Sequence, residues 1–211
     1  MYRLNTMMYR AGMSRVRTRP TRDETRQRLF DAAGRVFESR GIAAANIEAI
    51  AEAAGFTRGA FYSNFASKDE LIIAMLADHA ERSARRNLEL LARHRDPVDF
   101  VAALRAAHPD QDDPLDRSEL LHMEVILYVA RARENRPELA LRLRDRRAAI
   151  AEIIAKTSVP GTRSDPAWAP VLLALEDGFR LHRLIDPATT PEDSFLRAVE
   201  GLQRLIGLRP E

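Results

Sequence analysis

Apolar positions recur along this chain at intervals of three and four residues and almost nowhere at intervals of two, so the pattern predicts helices and no convincing strand. Thr21 and Glu24 form a capping box that opens the first helix. Leu29, Ala33, Val36 and Phe37 then share one face until Gly41 stops the run. Asn46 caps a short second helix with an Ile47, Ile50, Ala51, Ala54 stripe, and Gly55 supplies the turn after it. Thr57 caps a third, in which Phe61 and Phe65 point inward and therefore push Arg58, Tyr62 and Ser63 toward solvent. A second capping box, Ser67 with Glu70, starts a long helix from Lys68 to about Arg93, roughly 39 Å at 1.5 Å per residue.

Beyond residue 93 one punctuation device recurs: an N-cap residue followed by Pro at the first helical position. It stands at Asp96-Pro97, Asp165-Pro166 and Thr190-Pro191, with Arg136-Pro137 a weaker version. Helices are expected near 97–107, 118–134, 137–157, 166–185 and 191–207, with linkers at 108–117 and 158–165. The result is an all-α protein of about nine helices. Residues 1–20 form an arm, 21–66 a three-helix helix-turn-helix head, and 67–211 a larger helical body.

Composition narrows the chemistry. There is no Cys in 211 residues, which excludes disulfides, Cys-zinc sites, thiol redox centres and a Cys nucleophile. A hydrophobic share of 45% excludes disorder of the chain as a whole. The longest apolar runs, 125–130 and 170–175, fall far short of the roughly 18 residues of a membrane span. The Arg-dotted N-terminus has no apolar signal core, and the expectation is a cytoplasmic protein with no membrane partner.

The net charge of +2 says little, but its distribution is uneven: residues 1–75 hold 12 Lys+Arg against 8 Asp+Glu, and residues 76–211 hold 21 against 23. Arg3, Arg10, Arg15, Arg17, Arg19 and Arg22 all precede the first acid, Asp23. Such an arm suits phosphates or a minor groove, and suits a solvated tail equally well. Met7, Met8 and Met13 are alternative translation starts.

Two short helices joined by a Gly turn and packed on a longer one make a corner whose second helix enters a DNA major groove in helix-turn-helix proteins. Many small helical domains contain the same corner without touching DNA. Here the exposed side of the third helix carries Tyr62, Thr57 and Ser63, and Lys68 follows at a helix N-terminus. Gly59 sits inside that helix, where it costs about 1 kcal/mol relative to Ala. Close approach to DNA and close packing on residues 47–54 both account for it.

The stretch from Thr25 to Leu76, above all Gly55-Phe-Thr-Arg-Gly-Ala-Phe-Tyr-Ser-Asn-Phe-Ala-Ser-Lys-Asp-Glu-Leu71, resembles the DNA-binding head of the TetR family of transcriptional regulators. The resemblance implies that Thr57 and Tyr62 hold phosphates, that Lys68 contacts the DNA backbone, and that Arg58 and Ser63 meet base edges. It also places Gly59 and Ala60 at the groove, Ala60 against a thymine methyl. Asn46 stands where the family usually has Thr, and Asn64 where it often has His; each retains a group that caps or donates.

For the body the resemblance is one of layout. It implies ligand binding, and dimerisation through the last two helices in a four-helix bundle, near residues 166–185 and 191–207. Leu172, Leu175, Phe179 and His182 form one expected stripe, and Phe195, Val199, Leu202 and Ile206 the other. The alternative is that one chain buries both stripes in its own core. Gly178 and Gly201 favour close helix approach. A symmetric dimer would read half-sites about 34 Å apart in a pseudo-palindromic double-stranded operator.

Candidate ligand-binding residues are Phe100, Leu104, Met123, Leu127, Tyr128, Trp168, Leu172 and Phe179, most of them equally suited to core packing. Tyr128 and Trp168 stand out because each joins a large ring to a polar handle. The implied effector is a small, mostly apolar or amphipathic molecule whose binding swings the helix that starts at Lys68 and shifts the population away from a DNA-competent state.

Catalysis finds little support. Glu119 and His122 have the spacing of one ligand pair of a di-iron bundle, but no second Glu-x-x-His occurs. Glu176 and Asp177 are poorly aligned with His182. There is no nucleophile elbow and no phosphate loop. No catalytic residue, metal or cofactor is assigned. The expectation is a ligand-responsive homodimeric repressor released by its effector. The alternatives are a helical small-molecule sequestering protein without DNA affinity and a helical metalloenzyme.

Overall fold

A computed structural model describes residues 20–133, 136–157 and 167–205; all but the last residue of the expected arm at 1–20, the expected linker at 158–165, the Asp165-Pro166 pair and Ile206 lie outside them. The described residues form ten helices and no strand. In the head, α1 (Arg22–Arg40), α2 (Ile47–Ala53) and α3 (Arg58–Tyr62) are followed by the long α4 (Lys68–Arg93). The body continues with α5 (Pro97–Ala106), α6 (Pro114–Arg117), α7 (Glu119–Arg131), α8 (Arg136–Thr157), α9 (Trp168–Ile185) and α10 (Ser194–Leu205).

The head starts and stops where local chemistry dictates. Thr21 and Glu24 make both legs of the expected capping box, at 3.2 and 2.8 Å. Gly41 (φ 76°) and Gly55 (φ 73°) take up the left-handed backbone that turns the chain after α1 and α2. The second box is only half formed: Ser67 Oγ accepts from Glu70 N–H, whereas the Glu70 carboxylate reaches one residue further back, to Ala66 N–H at 2.6 Å.

The expected linker at 108–117 is in part a helix and in part core. Asp113-Pro114 is a further copy of the device that starts α5: the Asp113 carboxylate accepts from Leu115 N–H at 2.9 Å and Pro114 opens α6. Leu115 is fully buried. Conversely, Thr190-Pro191 does not start a helix. Asp186 ties the turn through Ala188 and Thr189, and α10 begins three residues past the Pro, at Ser194.

One buried cluster runs from the head into the body. Leu29, Phe37, Ile50, Phe61, Phe65, Leu71 and Ile72 join Leu115, Leu121, Val125 and Val129 without a break; each such side chain stabilises the fold by about 1.5–3 kcal/mol relative to exposure. A close approach lies where α1 meets α6. A Cβ on Gly34 would stand 2.8 Å from Pro114 Cβ, so only Gly allows this approach. No helix among the described residues is long and apolar enough to cross a membrane.

Candidate nucleic-acid interface and body cavity

The five residues of α3 can present a reading face because Phe61 and, just beyond the helix, Phe65 are pinned in the core at 0% and 1% exposure. Opposite them, Thr57, Arg58, Gly59, Tyr62 and Ser63 are exposed, and Ala60 is half-buried. Arg58 and Tyr62, one turn apart, touch twice: the guanidinium donates to the phenol oxygen at 3.2 Å and lies 5.4 Å over its ring. Arg58 also pairs with Glu48 of α2 at 2.6 Å, an exposed contact of little net strength. Thr57 Oγ1 caps α3 and Asn46 Oδ1 caps α2, so both expected caps form.

The structure bears on one of the two explanations for Gly59. A Cβ there would meet only Thr57 Oγ1 at 3.8 Å, an ordinary contact, and nothing on residues 47–54. Packing on α2 therefore does not require glycine. Asn64 is half-buried and spends its amide N–H on Ala60 O at 2.9 Å.

Lys68 is placed differently from the expectation of a backbone contact to DNA. Its ammonium turns inward and donates to Ile42 O at 2.7 Å and Ala45 O at 2.9 Å, which fastens the start of α4 to the turn between α1 and α2. Tyr128 of α7 joins this junction, its hydroxyl donating to Asp69 Oδ1 at 3.0 Å and its ring 5.7 Å from Lys68 Nζ.

In the body, α4, α5, α8, α9 and α10 line a half-open cavity of about 1080 Å³, just above the usual range of roughly 300–1,000 Å³ for small-molecule sites. Of the eight ligand-binding candidates, Phe100, Leu104, Leu172 and Phe179 line it. Met123, Leu127, Tyr128 and Trp168 are not on its wall: Leu127 is 52% exposed and Tyr128 belongs to the head–body junction. The residues foreseen as dimer stripes are also partly turned inward, since Leu172, Phe179, Phe195 and Val199 all face this cavity.

The sequence reading missed the charged part of the wall. Arg146 of α8 and Arg180 of α9 share Glu176 at 2.9 and 2.8 Å, Arg183 is held by Glu119, and Arg86 pairs with Asp116 at 2.5 Å. Burial works against the Glu176 carboxylate, yet Arg146 and Arg180 hold its pKa below the ordinary carboxylate range. The signal was present: Arg142, Arg146, Ile150 and Ile153 recur at helical spacing, but arginines on a stripe read as a solvated face.

Behind the wall the polar groups continue inward. Arg180 donates to His122 Nδ1 at 3.1 Å, the His122 ring stacks edge-on against His79 at 4.6 Å, and His79 Nδ1 donates to Asp113 Oδ2 at 2.7 Å. Burial first, then the electrostatic influence of His79, Arg180 and Arg146, lowers the His122 pKa to about 2. Glu119, His122 and Glu176 are thus engaged by arginines, and no group of three or more metal-ligating side chains occurs among the described residues.

Comparison with known proteins agrees with this arrangement. Residues 29–75, which include all of α2 and α3, match the family of bacterial regulatory proteins, tetR family. The chain is 37% identical over 120 residues to the HTH-type transcriptional regulator SrpR of Pseudomonas putida, a match covering 49% of this chain and 54% of SrpR. It thus spans about half of that relative's length. It is also 37% identical over 119 residues to TtgW, an uncharacterized HTH-type transcriptional regulator of Pseudomonas putida, covering 49% of this chain and 84% of TtgW. Among solved structures, the multidrug binding protein EbrR complexed with ethidium superposes with a TM-score of 0.60 at 26% identity, over 85% of this chain and 98% of that one. The likeness therefore reaches past the head into the cavity-bearing body, and with most of TtgW covered at this identity, the chain belongs to the TetR family of bacterial regulatory proteins.

Proposed function

We propose that the protein is a repressor that binds a pseudo-palindromic operator as a homodimer and is released by a small amphipathic effector held in the body cavity. The observation that carries this reading is the course of α4. Its first residue, Lys68, is fastened to the head, and two to five turns on, Ala77, Ala80, Ala84 and Asn87 form part of the cavity wall. A ligand that displaces that wall moves the end of the same rigid helix, and with it the recognition helix. Differential binding to the two positions of α4 then shifts the population between them. EbrR, which shares this fold, is complexed with ethidium in its solved structure, which supports a ligand-binding role here.

On this reading Thr57 and Tyr62 hold phosphates and Arg58 and Ser63 reach base edges, while Lys68 acts by setting the angle of the head. The dimer uses α9 and α10, but with a stripe one residue around from the expected one. Val171, Leu181 and Ile185 of α9 are 42%, 45% and 75% exposed. With Ala174 and Gly178 between them they repeat at three and four residues, the spacing of a helix-pairing seam. A Cβ at Gly178 would meet nothing within 4 Å in the single chain, which leaves room for a partner helix.

The test is fluorescence anisotropy of the full chain on DNA from upstream of its own gene, with unrelated DNA as competitor, at two salt concentrations, beside Tyr62→Ala. Specific, salt-sensitive binding that the variant loses is the expected result. Equal binding to both DNAs, or none in an intact dimer, would turn the reading toward a sequestering protein.

A further inference from the structure

Arg58 is the one cation of α3, and three contacts hold its head group. Nη2 donates to the Tyr62 phenol oxygen at 3.2 Å, the central carbon lies 5.4 Å over the Tyr62 ring, and Nη1 stands 2.6 Å from Glu48 Oε1. Tyr62 belongs to α3 itself, but Glu48 comes from the first turn of α2, so this contact joins the two helices of the corner. Both side chains of the pair are exposed. Nearby polar groups are turned elsewhere: the Ser63 hydroxyl donates back to Gly59 O, the Asn64 amide to Ala60 O, and Lys68 points inward.

An acid at this place calls for a reason. A head that approaches a polyanion loses affinity through a carboxylate beside its reading helix, because like charges repel. Stability does not supply the reason, since an exposed ion pair contributes little. Glu48 also complements the N-terminal dipole of α2. The dipole, however, asks only for an acid in that turn and is indifferent to where its carboxylate goes, whereas here it reaches a guanidinium on the next helix.

What the contact fixes is direction. A free arginine side chain loses much rotamer freedom when it is ordered. Here one terminal nitrogen is tied to Glu48, the other to Tyr62, and an aromatic ring underlies the group. A guanidinium has five N–H donors, so these ties leave enough of them for a bidentate contact. Guanine offers the matching pair of acceptors, O6 and N7, in the major groove. An arginine ordered before binding meets them at a lower entropic cost than a free one.

We propose that Glu48 is a specificity-determining positioning residue, which aims Arg58 at a guanine in each operator half-site. This deepens the repressor reading above and rests on it. The carboxylate lowers affinity for DNA of every sequence and raises discrimination at one base pair.

Selection by the full chain from a library of randomised duplexes, followed by sequencing, measures base preference along the half-site. The wild-type chain should prefer guanine at one position by about ten-fold or more, and Arg58→Ala should erase that preference. Glu48→Ala should cut it to about three-fold at the same base pair. The same variant should bind unrelated DNA about two- to five-fold more tightly at low salt, because a negative charge has left the interface. Glu48→Gln keeps an acceptor oxygen and should retain more of the preference than alanine does. In the Arg58→Ala background, Glu48→Ala should alter no base preference further. An unchanged guanine preference in Glu48→Ala overturns the proposal, as does a loss at a base pair other than the one Arg58→Ala affects. A lower urea midpoint with equally weakened binding to every sequence also overturns it, and assigns Glu48 to the folding of α2. Enrichment of a site without the guanine sinks this inference alone, whereas a wild-type chain that enriches no sequence sinks the repressor reading and this inference with it.

Discussion

Arg180 Nη1 donates to His122 Nδ1 across 3.1 Å, and because a guanidinium has no acceptor and keeps its protons, the imidazole must offer a bare nitrogen there. The His122 pKa of about 2 follows from burial first, then from the electrostatic influence of the neighbouring His79 and of the Arg180 and Arg146 guanidiniums. In the unfolded chain the same ring titrates near 6.5. Below that pH the unfolded state takes up a proton that the folded state refuses until about pH 2. The stability is fully present above about 6.5 and lost as pH falls, by up to ~1.4 kcal/mol per pH unit. Urea unfolding between pH 7 and 5 should show this slope, and His122→Gln should flatten it by nearly one proton; an unchanged slope would assign the acid sensitivity to another group.

Gly34→Ala should destabilise the protein although alanine is the better helix former. The added Cβ would meet Pro114 Cβ at 2.8 Å and Cγ at 3.4 Å. Overpacking of this kind costs about 1–3 kcal/mol, more than the ~1 kcal/mol of helix propensity gained. The change should appear as a lower urea midpoint at constant slope.

Gly59→Ala should have two effects of opposite sign. In the free protein the new methyl has room, so helix propensity should stabilise the fold by about 0.5–1 kcal/mol. On operator DNA it should weaken binding, if the glycine serves close approach to the duplex. Unfolding and anisotropy on one preparation measure both, and unchanged DNA affinity would leave Gly59 without a reading role.

Lys68→Met and Tyr62→Ala should separate positioning from contact. The first leaves Ile42 and Ala45 carbonyls unpaired at a half-buried junction and should cost about 1–3 kcal/mol of stability. Tyr62 is 44% exposed, and its truncation should cost under about 0.5 kcal/mol while abolishing specific DNA binding. Equal stability loss in both would contradict the inward role of Lys68.

Leu181→Glu with Ile185→Glu places two charges on the outward stripe of α9, away from the cavity lining. Sedimentation should show a folded monomer in place of a dimer. A dimer that persists would move the interface off this stripe.

The head was legible in the sequence because its determinants are local. Thr21, Asn46 and Thr57 cap the helices that follow them, Gly41 and Gly55 turn the chain, and the Phe61–Phe65 spacing alone decides that Tyr62 faces outward. Each of these acts within four residues, the range that a helical pattern reports. What lay beyond that range was decided by packing. Asp113-Pro114 carried the right start signal, but only the approach of α1 through Gly34 makes α6 part of the core. Lys68 reads as a free cation until the carbonyls of Ile42 and Ala45, more than twenty residues away, fold against it. The arginines of α8 look solvated until α9 brings Glu176 opposite Arg146. Leu172 and Phe179 were apolar in any arrangement; whether they met a partner or a cavity depended on the rotation of α9 about its axis, which neighbouring helices set.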